Sequence, residues 1–454
     1  MAVARRLLPD WQDNGKLVYR RWRASWMRWT GSCWREIDEA QIRAAMYERL
    51  EHAVYRAPTK DGESEERDWA PTKQKISNLL DALGSIVLLP TDTDAPDWLN
   101  QQDGTGQDHG PIVACDNGLL RIHDRALLPH TPEFFNIVSV PFAYDPGATA
   151  PTWDSFLHQV FPDDSDSITA LQEWFGYVVS GRTDQQKILL VFGPSRSGKG
   201  TIARVLKALV GKENLAGPTL AGLGTNFGLS TLVGKPLAII SDARLSGGDS
   251  TPIVERLLTI SGEDTIDVDR KYREQWTGKL PTRLVILSNE LPHFGDASGV
   301  IANRFILLNT KLSWLGKEDP TLTDRLTAEM PGILNWALEG LARLNRTGRI
   351  TEPASTRDAV TTMRDTASPT SAFVRERCTT GAACSVPVDA LWSVWREWAE
   401  DNGVKPGTKQ VFGRNLLSVV PQLTRTRPRD AYGQQIATYT GITLKASTPH
   451  LSES

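Results

Sequence analysis

Cysteine is scarce in this chain of 454 residues. Only Cys378 and Cys384 lie near one another, and neither a second pair nor a histidine cluster stands beside them, so no zinc site is predicted. We interpret these two, with Cys33 and Cys115, as reduced structural thiols.

Long apolar runs are also missing. No stretch approaches the roughly 20 residues that a membrane helix needs. The N-terminus carries an arginine pair but no apolar core of the kind found in a signal peptide. We therefore expect a cytoplasmic protein with no membrane association.

The chain also lacks an excess of basic residues. Lys and Arg number 51 against 54 Asp and Glu, which gives a formal net charge of −3. This balance argues against a protein that coats DNA through a global basic field. It does not argue against a motor that grips a strand with a few local cations.

The chain is organised around residues 188–201, Ile-Leu-Leu-Val-Phe-Gly-Pro-Ser-Arg-Ser-Gly-Lys-Gly-Thr. The apolar run predicts a buried strand, and the spacing from Ile202 onward predicts a helix. The loop between them has the spacing of a phosphate-binding loop, in which backbone N–H groups face a triphosphate and Lys199 reaches the β- and γ-phosphates. The predicted nucleotide-binding residues are Gly193, Pro194, Ser195, Arg196, Ser197, Gly198, Lys199, Gly200 and Thr201.

One position departs from the common loop pattern. The residue after Lys199 is usually a Ser or Thr that holds Mg²⁺, but here it is Gly200, and the hydroxyl comes one residue later at Thr201. Several nucleotide kinases share this Gly-Lys-Gly-Thr ending, so phosphate binding is still expected. The predicted cofactors are ATP and Mg²⁺, with Thr201 as a metal ligand.

Two later apolar strands end in polar residues. Residues 236–242 end at Asp242, where a phosphate-loop ATPase holds its Mg²⁺. Residues 283–289 end at Asn289, whose amide could bond both the γ-phosphate and the attacking water. The second acid that usually accompanies the first is missing beside Asp242. Its alternatives are Glu263, Asp264 and Glu290.

Two cationic features complete this region. Residues 262–279 predict a hairpin, and either a DNA contact or an ordinary solvated face fits the polar residues at its tip. Arg304 opens an apolar strand and is a candidate arginine finger, which would reach the γ-phosphate of a neighbouring subunit. The residues at the hairpin tip are Arg270, Lys271, Tyr272 and Arg273.

The first 60 residues mix tryptophan with arginine. A small β-meander with a turn at Thr30-Gly31 and snorkelling arginines is predicted, with base stacking as the alternative. Helices are predicted over residues 42–55, 72–89 and 153–179, a polar loop over 57–68, and two strands around the turn at 116–118.

The tail has its own pattern. Helices predicted over residues 388–401 and 409–420, followed by extended pieces at 422–427 and 434–444, indicate a winged helix. Its face is basic and could bind DNA, although a structural or protein-binding role stays open. The predicted DNA contacts there are Lys409, Arg414, Arg425 and Arg427.

In order and spacing these motifs resemble superfamily 3 helicases, specifically the helicase portion of phage and plasmid primase–helicases of the poxvirus type. The resemblance rests on residues 193–201, 237–242 and 284–289, the cationic insert around Lys271, and Arg304. Upstream, residues 116–120 and 141–146 resemble the domain that precedes the helicase in that family, and the tail resembles its winged helix.

The resemblance implies a ring, commonly a homo-hexamer, that translocates 3′→5′ on single-stranded or forked DNA. Lys199, Asp242, Asn289 and Arg304 would be the catalytic residues, with Asp242 and Thr201 around Mg²⁺. Arg270, Lys271 and Tyr272 would form the pore hairpin that grips DNA. The N-terminal primase domain of many members has no counterpart in these residues, so we expect a separate primase or polymerase partner.

The expected fold is α/β, with a P-loop AAA+-like ATPase core built on a parallel sheet. The expected divisions are an α+β N-terminal domain at 1–150, a helical collar at 151–182, the ATPase domain at 183–345, a linker at 346–368, a winged-helix domain at 369–446 and a disordered tail at 447–454.

The expected function is that of an ATP-dependent DNA helicase in the replication of a phage, plasmid or integrated mobile element. Two alternatives stay open. One is a DNA-binding ATPase that assembles at an origin without processive unwinding, and the other is a nucleotide kinase.

Overall fold

The computed structural model describes residues 1–58, 64–90, 92–99, 111–241, 250–271, 274–292, 294, 300–429 and 434–445, and over these it is a mixed α/β protein. Its helices are α1 (Ala2–Leu7), α2 (Glu39–Leu50), α3 (Lys73–Ile86), α4 (Pro151–Val160), α5 (Ser165–Ser180), α6 (Lys199–Val210), α7 (Leu220–Leu223), α8 (Thr251–Ser261), α9 (Leu322–Ala328), α10 (Met330–Thr347), α11 (Arg357–Ala367), α12 (Pro369–Arg377), α13 (Val388–Asp401) and α14 (Lys409–Val419).

The strands range from two to ten residues. They are β1 (Gln12–Asp13), β2 (Lys16–Leu17), β3 (Tyr19–Trp22), β4 (Ser25–Trp29), β5 (Trp34–Ile37), β6 (Val54–Pro58), β7 (Ser64–Asp68), β8 (Asp97–Trp98), β9 (Ile112–Cys115), β10 (Gly118–Arg121), β11 (Leu127–Leu128), β12 (Phe134–Phe135), β13 (Ile188–Phe192), β14 (Leu215–Ala216), β15 (Leu237–Ile240), β16 (Ile266–Val268), β17 (Trp276–Gly278), β18 (Arg283–Ser288), β19 (Phe305–Asn309), β20 (Cys378–Pro387), β21 (Thr424–Thr426) and β22 (Thr438–Leu444).

The centre is a five-stranded parallel sheet in the order β14–β15–β18–β13–β19. Side chains alternate between its two faces. Leu189 and Val191 of β13 enter one hydrophobic cluster, and Ile188 and Leu190 enter another. Because both faces are covered, the strands consist mainly of apolar residues, and the predicted parallel sheet is confirmed.

Helices α5, α6 and α10 cover the first face of this sheet, and α8 and α11 cover the second. Helix α11 falls inside the segment that the sequence predicts as a polar linker. Its Met363 and Ala367 lie four residues apart and are buried on the second face. Ala359 and Val360 also pack against this face, half-buried. Four apolar residues in an otherwise polar stretch are a weak signal, which explains why the helix is not predicted.

Helices α5 and α10 touch through their backbones. A Cβ atom on Gly176 would lie 2.3 Å from the carbonyl oxygen of Ala337, and one on Gly340 would lie 2.3 Å from that of Gln172. Beside these contacts, the buried carboxylate of Glu173 accepts a hydrogen bond from Arg343 Nε at 2.8 Å. The ion pair and the paired glycines fix α10 against α5.

Arg283, the first residue of β18, ties the sheet to α5. Its buried guanidinium donates to the carbonyl oxygens of Val178 at 2.9 Å, Gly181 at 3.1 Å and Pro281 at 2.6 Å. Burial lowers its pKa to about 10, because removal from water disfavours the charged form.

The N-terminal meander is confirmed as the antiparallel sheet β3–β4–β5, with its second turn at residues 30–33. Trp26 packs towards α2 and α3, while Trp22 and Trp34 enter a cluster on the other face. Arg35 Nη1 donates to Asn214 Oδ1 at 2.5 Å. That arginine therefore joins the meander to the segment leading into β14.

Two predictions for the following residues need correction. The helix predicted over 42–55 is confirmed as α2, but it ends at Leu50. The segment predicted as a polar loop over 57–68 contributes to the hairpin β6–β7, whose side chains are exposed apart from Ala57. An exposed hairpin has no alternation of apolar and polar residues that would predict it.

Elsewhere the predicted helices and strands are present. Helix α3 follows its N-cap Thr72, the pair β9–β10 surrounds the predicted turn, and the helical region over 153–179 consists of α4 and α5. None of the helices described here combines the length and the apolar character that crossing a membrane requires.

The tail folds into α12, α13 and α14 with an antiparallel sheet in the order β20–β22–β21. The predicted helix over 388–401 coincides with α13. Helix α12 and strand β20 are not predicted. Strand β20 is mostly exposed and contains glycine and alanines, so it lacks the pattern of a buried strand.

The contact between α5 and α10 predicts that Gly340→Ala lowers stability. The added methyl would meet backbone atoms of Gln172 and Glu173, which have no flexible end to move. We expect this overlap to lower the free energy of unfolding by about 1–3 kcal/mol. Alanine's higher helix propensity adds only about 1 kcal/mol in the opposite direction, so the net effect is a loss of stability. The thermal unfolding midpoint measures this.

Gly84→Ala in α3 is the matched control. Its Cβ would lie 3.5 Å from the Trp26 ring, an ordinary contact, so the midpoint should stay or rise. Equal midpoints for Gly340→Ala and wild type would contradict the close-packing argument.

Candidate functional site

The carboxyl ends of three neighbouring parallel strands meet at one edge of the sheet. The glycine-rich loop follows β13, Ser241 follows β15 and Asn289 follows β18. All three line a cleft of about 1190 Å³, which α4 and residues 314–325 close from the side. Asp242, predicted as the magnesium ligand, lies outside the described residues.

The loop conformation depends on glycine at two points. Gly193 has φ +144°, and a Cβ there would lie 2.0 Å from the carbonyl oxygen of Thr310. Gly198 has φ +92°, and its Cβ would lie 2.8 Å from Val160 Cγ2 and 3.2 Å from Phe156 Cζ. No L side chain fits at either position, so the two glycines set the path of the loop.

Lys199 is buried beneath the loop that it follows. Its Nζ donates to the carbonyl oxygens of Gly193 at 2.7 Å and Pro194 at 2.6 Å, and to Ser197 Oγ at 3.2 Å. The ammonium group is therefore held at the concave side of the backbone, beside the helix N-terminus.

A chain of hydroxyl groups continues from Lys199. Ser197 Oγ lies 2.6 Å from Thr310 Oγ1, which lies 3.1 Å from the carbonyl oxygen of Phe192. Because Ser197 accepts from Lys199, each proton is used once if Ser197 donates to Thr310 and Thr310 donates to Phe192. Both hydroxyl residues are buried.

The segment after β19 supports the loop from outside. Ser313 Oγ donates to the carbonyl oxygen of Ser195 at 2.7 Å, and the Trp314 amide donates to that of Arg196 at 2.9 Å. Arg196 also pairs with Glu318 at 3.5 Å. These residues and Thr310 are not predicted from the sequence, since no local pattern connects positions at least 113 residues apart.

Thr201 and Gly200 face the same cleft from the first turn of α6. Thr201 Oγ1 accepts a hydrogen bond from Arg204 Nη2 at 2.9 Å. Arg204 lines the cleft and was not predicted as a site residue. It is one cation on an amphipathic helix, so no sequence signal sets it apart.

The donors described in the cleft do not form a magnesium site. No group of three acidic, histidine or cysteine side chains lies together anywhere in the described ranges. The hydroxyl of Thr201 is engaged with a guanidinium group, which repels a divalent cation.

The three alternatives for a second acid separate by position. Glu263 accepts a hydrogen bond from Thr183, which precedes β13. Glu263 and the next residue, Asp264, therefore lie at the end of the sheet opposite the loop. Glu290 directly follows Asn289 and is exposed at the loop edge. Of the three, Glu290 stands nearest the cleft.

Arg304 ends a 3-10 turn before β19 and lies at the opposite edge from the loop. Its Nη1 donates to Gln186 Oε1 at 2.7 Å. Ile188 pairs with Phe305, so Arg304 lies beside the residue that precedes β13. The five residues of β13, about 16 Å of strand, therefore separate Arg304 from Gly193. Arg304 does not reach the cleft of its own chain.

The predicted hairpin at 262–279 is confirmed as β16–β17. Arg270 at its tip lies 3.6 Å from Glu36 of the N-terminal meander, and its side chain is only 9% exposed. Lys271 is exposed, whereas Tyr272 and Arg273 lie outside the described residues. The structure thus joins Arg270 to another element and presents Lys271 at the surface.

The four predicted DNA contacts of the tail lie on α14, on β21 and just after it. Lys409, the first residue of α14, pairs with Asp389. Arg414, Arg425 and Arg427 are exposed, the first on α14 and the other two along the β21 edge.

The cysteines are unpaired thiols. Burial raises the pKa of Cys115 and of Cys378 to about 12, so neither thiol ionises near neutral pH.

Three sequence families match this chain. The family described as D5 N terminal like matches residues 4–162, and the family described as Poxvirus D5 protein-like matches residues 366–444. Between them, a family of unknown function (DUF5906) matches residues 191–304, which include the glycine-rich loop, Asn289 and Arg304.

The chain is similar to a curated protein and to solved structures. The uncharacterized mitochondrial protein ymf21 of Marchantia polymorpha is 25% identical over 107 residues, 24% of this chain and 59% of that protein. The chain therefore spans less than two thirds of that relative's length.

The A form apo structure of the NrS-1 C-terminal region aligns with TM-score 0.51 and 12% identity over 93% of this chain and 96% of that one. A second apo structure of the region, residues 305–718, gives TM-score 0.49 and 12% identity over 94% and 95%. At this identity the first likeness shows the fold alone.

The hydroxyl chain behind the loop predicts that Thr310→Val lowers stability. Valine keeps the shape but leaves the buried Ser197 hydroxyl without its acceptor, which costs about 1–3 kcal/mol. Thr310→Ser keeps the hydroxyl and should retain most of that energy. Urea unfolding of both variants measures the difference. A loss in Thr310→Ser with none in Thr310→Val would show that the methyl group, and not the hydroxyl, matters.

Proposed function

This chain is a relative of the poxvirus D5-like primase–helicases, and we propose that it is an ATP-dependent DNA helicase. The observation that carries the proposal is the glycine-rich loop with buried Lys199 at the carboxyl end of β13, beside Asn289 at the end of β18. A ligand site at this edge of a parallel sheet, where the strand order reverses, is the general rule for such folds.

The strand order β14–β15–β18–β13–β19 supports a P-loop AAA+-like core. In this proposal the loop amides and the N-terminus of α6 bind the phosphates of ATP. Lys199 exchanges its bonds to loop carbonyl oxygens for bonds to the β- and γ-phosphates. Asn289, exposed at the cleft, orients the attacking water against the γ-phosphate.

The position of Arg304 supports assembly into a ring, which by resemblance is a homo-hexamer. It stands on the edge of the sheet opposite the loop, so it could act only on the nucleotide of a neighbouring subunit. Its hydrogen bond to Gln186, two residues before β13, holds the guanidinium group of Arg304 near the start of that strand. In this arrangement each subunit binds one nucleotide and supplies the finger for another.

DNA is the proposed substrate of the motor. Lys271, at the tip of β16–β17, and Tyr272, the next residue in the sequence, are proposed to grip a single strand, with 3′→5′ movement by resemblance. The order α12, β20, α13, α14, β21, β22 supports a winged helix, in which exposed Arg414, Arg425 and Arg427 would contact the DNA backbone. Arg270 contributes instead by holding the hairpin to Glu36.

Lys199→Ala should abolish DNA-stimulated ATP hydrolysis while the protein stays folded, because the phosphates lose the only buried cation described in the cleft. Lys207→Ala, an exposed lysine further along α6 and outside the cleft, is the control and should keep full turnover. Release of phosphate with and without single-stranded DNA measures this. DNA-stimulated turnover retained by Lys199→Ala would defeat the site assignment.

A strand-displacement assay on forked DNA then tests the motor. Unwinding that depends on ATP and on Lys199 supports a helicase. DNA-stimulated hydrolysis without unwinding would instead identify an ATPase that assembles on DNA.

Arg304→Ala should lower the hydrolysis rate by about 10³–10⁵ if the residue is a finger. Mixing it with Lys199→Ala should restore turnover, because intact Arg304 on one subunit then faces an intact loop on the next. A residue that merely supports β13 through Gln186 gives no such rescue. Titrating one variant into the other at fixed total protein measures the effect.

A further inference from the structure

Helix α6 carries a second cation in the candidate nucleotide cleft. Arg204 lines the cleft with Lys199, Gly200 and Thr201. Its Nη2 donates to Thr201 Oγ1 at 2.9 Å, and a Cβ on Gly200 would lie 3.5 Å from its Nη1. The guanidinium group therefore covers position 200, where the common loop pattern places a metal-binding hydroxyl.

This geometry disfavours a metal ion at Thr201. A Mg²⁺ ion about 2 Å from the hydroxyl oxygen would lie at most about 5 Å from Nη2, and the two positive charges repel. Successive helical residues also point about 100° apart, so Thr201 does not present its hydroxyl where residue 200 would.

An anion meets the opposite situation. The guanidinium, the hydroxyl of Thr201 and the N-terminal end of α6 all favour negative charge at the same point. None of the ion pairs found among the described residues includes Arg204, and its side chain is exposed to the cleft. Its charge is thus available to a ligand.

We propose that Thr201 and Arg204 bind a phosphate group of the nucleotide, and that this group is the α-phosphate. The subsite rests on the proposed function of the cleft as an ATP site. Lys199 Nζ is held towards the carbonyl oxygens of Gly193 and Pro194, at the strand end of the loop, and takes the β- and γ-phosphates. Arg204 lies more than one helical turn further along α6, and meets the phosphate nearer the nucleoside.

The proposal also accounts for Gly200. A serine or threonine there would extend its hydroxyl from a Cβ already at contact distance from the guanidinium. Glycine leaves that space to Arg204. The departure from the common loop pattern and the cation one turn later are then two parts of one arrangement.

The test is equilibrium binding of fluorescently labelled ADP to the full chain in EDTA, where no metal is present. Arg204→Ala should weaken binding about 10- to 100-fold, and Thr201→Ala about 3- to 10-fold. Arg204→Lys should recover part of the loss, and Lys207→Ala on the same helix should bind as wild type. Equal thermal midpoints show that the variants are folded.

A metal-ligand role for Thr201 would leave ADP binding in EDTA unchanged and alter only its magnesium dependence, which would overturn the proposal. Comparison of AMP, ADP and ATP assigns the phosphate. A loss of the same size for all three supports the α-phosphate, and a loss that spares AMP overturns that assignment.

Lys199→Ala separates this proposal from the function on which it depends. If Lys199→Ala loses nucleotide and Arg204→Ala does not, the cleft binds nucleotide but the subsite is wrong. If neither loses it, the ATP site itself is wrong.

Discussion

The path of the loop after β13 is fixed by contacts too close for any side chain. On one side Gly193 lies against the backbone of Thr310, and on the other Gly198 lies against α4. Because both ends of the loop are held, its backbone amides have a fixed orientation. Lys199 then donates to the carbonyl oxygens of Gly193 and Pro194. The candidate chemistry therefore depends on two neighbouring elements, β19 and α4, that carry none of the loop's own motif.

The parallel sheet could be predicted from the sequence because its longer strands consist mainly of apolar residues and end at a glycine or a polar residue. The supports of the loop could not. Thr310, Ser313 and Trp314 look like ordinary residues after a strand, and only the fold brings them to a loop 113 to 118 positions earlier. Arg204 is hidden for another reason, since a cation on the polar face of a helix has no signature until its partner is known.

Exposed elements were missed for a third reason. The hairpin β6–β7 and strand β20 bury few side chains, so they carry no periodic pattern. The tip of β16–β17 shows the limit of charge as a guide. Arg270 and Lys271 are adjacent cations, yet the first is covered by the N-terminal meander and the second is at the surface. Composition could not distinguish them.

The glycines of α10 constrain how this chain can change length. Gly332 meets the backbone of Thr149, just before α4, and Gly340, two turns later, meets that of Gln172 on α5. One residue inserted between them would rotate the second contact by about 100° and bring a side chain against α5. Helix α4 begins next to the Gly332 contact and packs against Gly198, so the position of α10 also affects the glycine-rich loop. Insertions are thus confined to the connections around this helix, and its length between the two glycines acts as a fixed spacer.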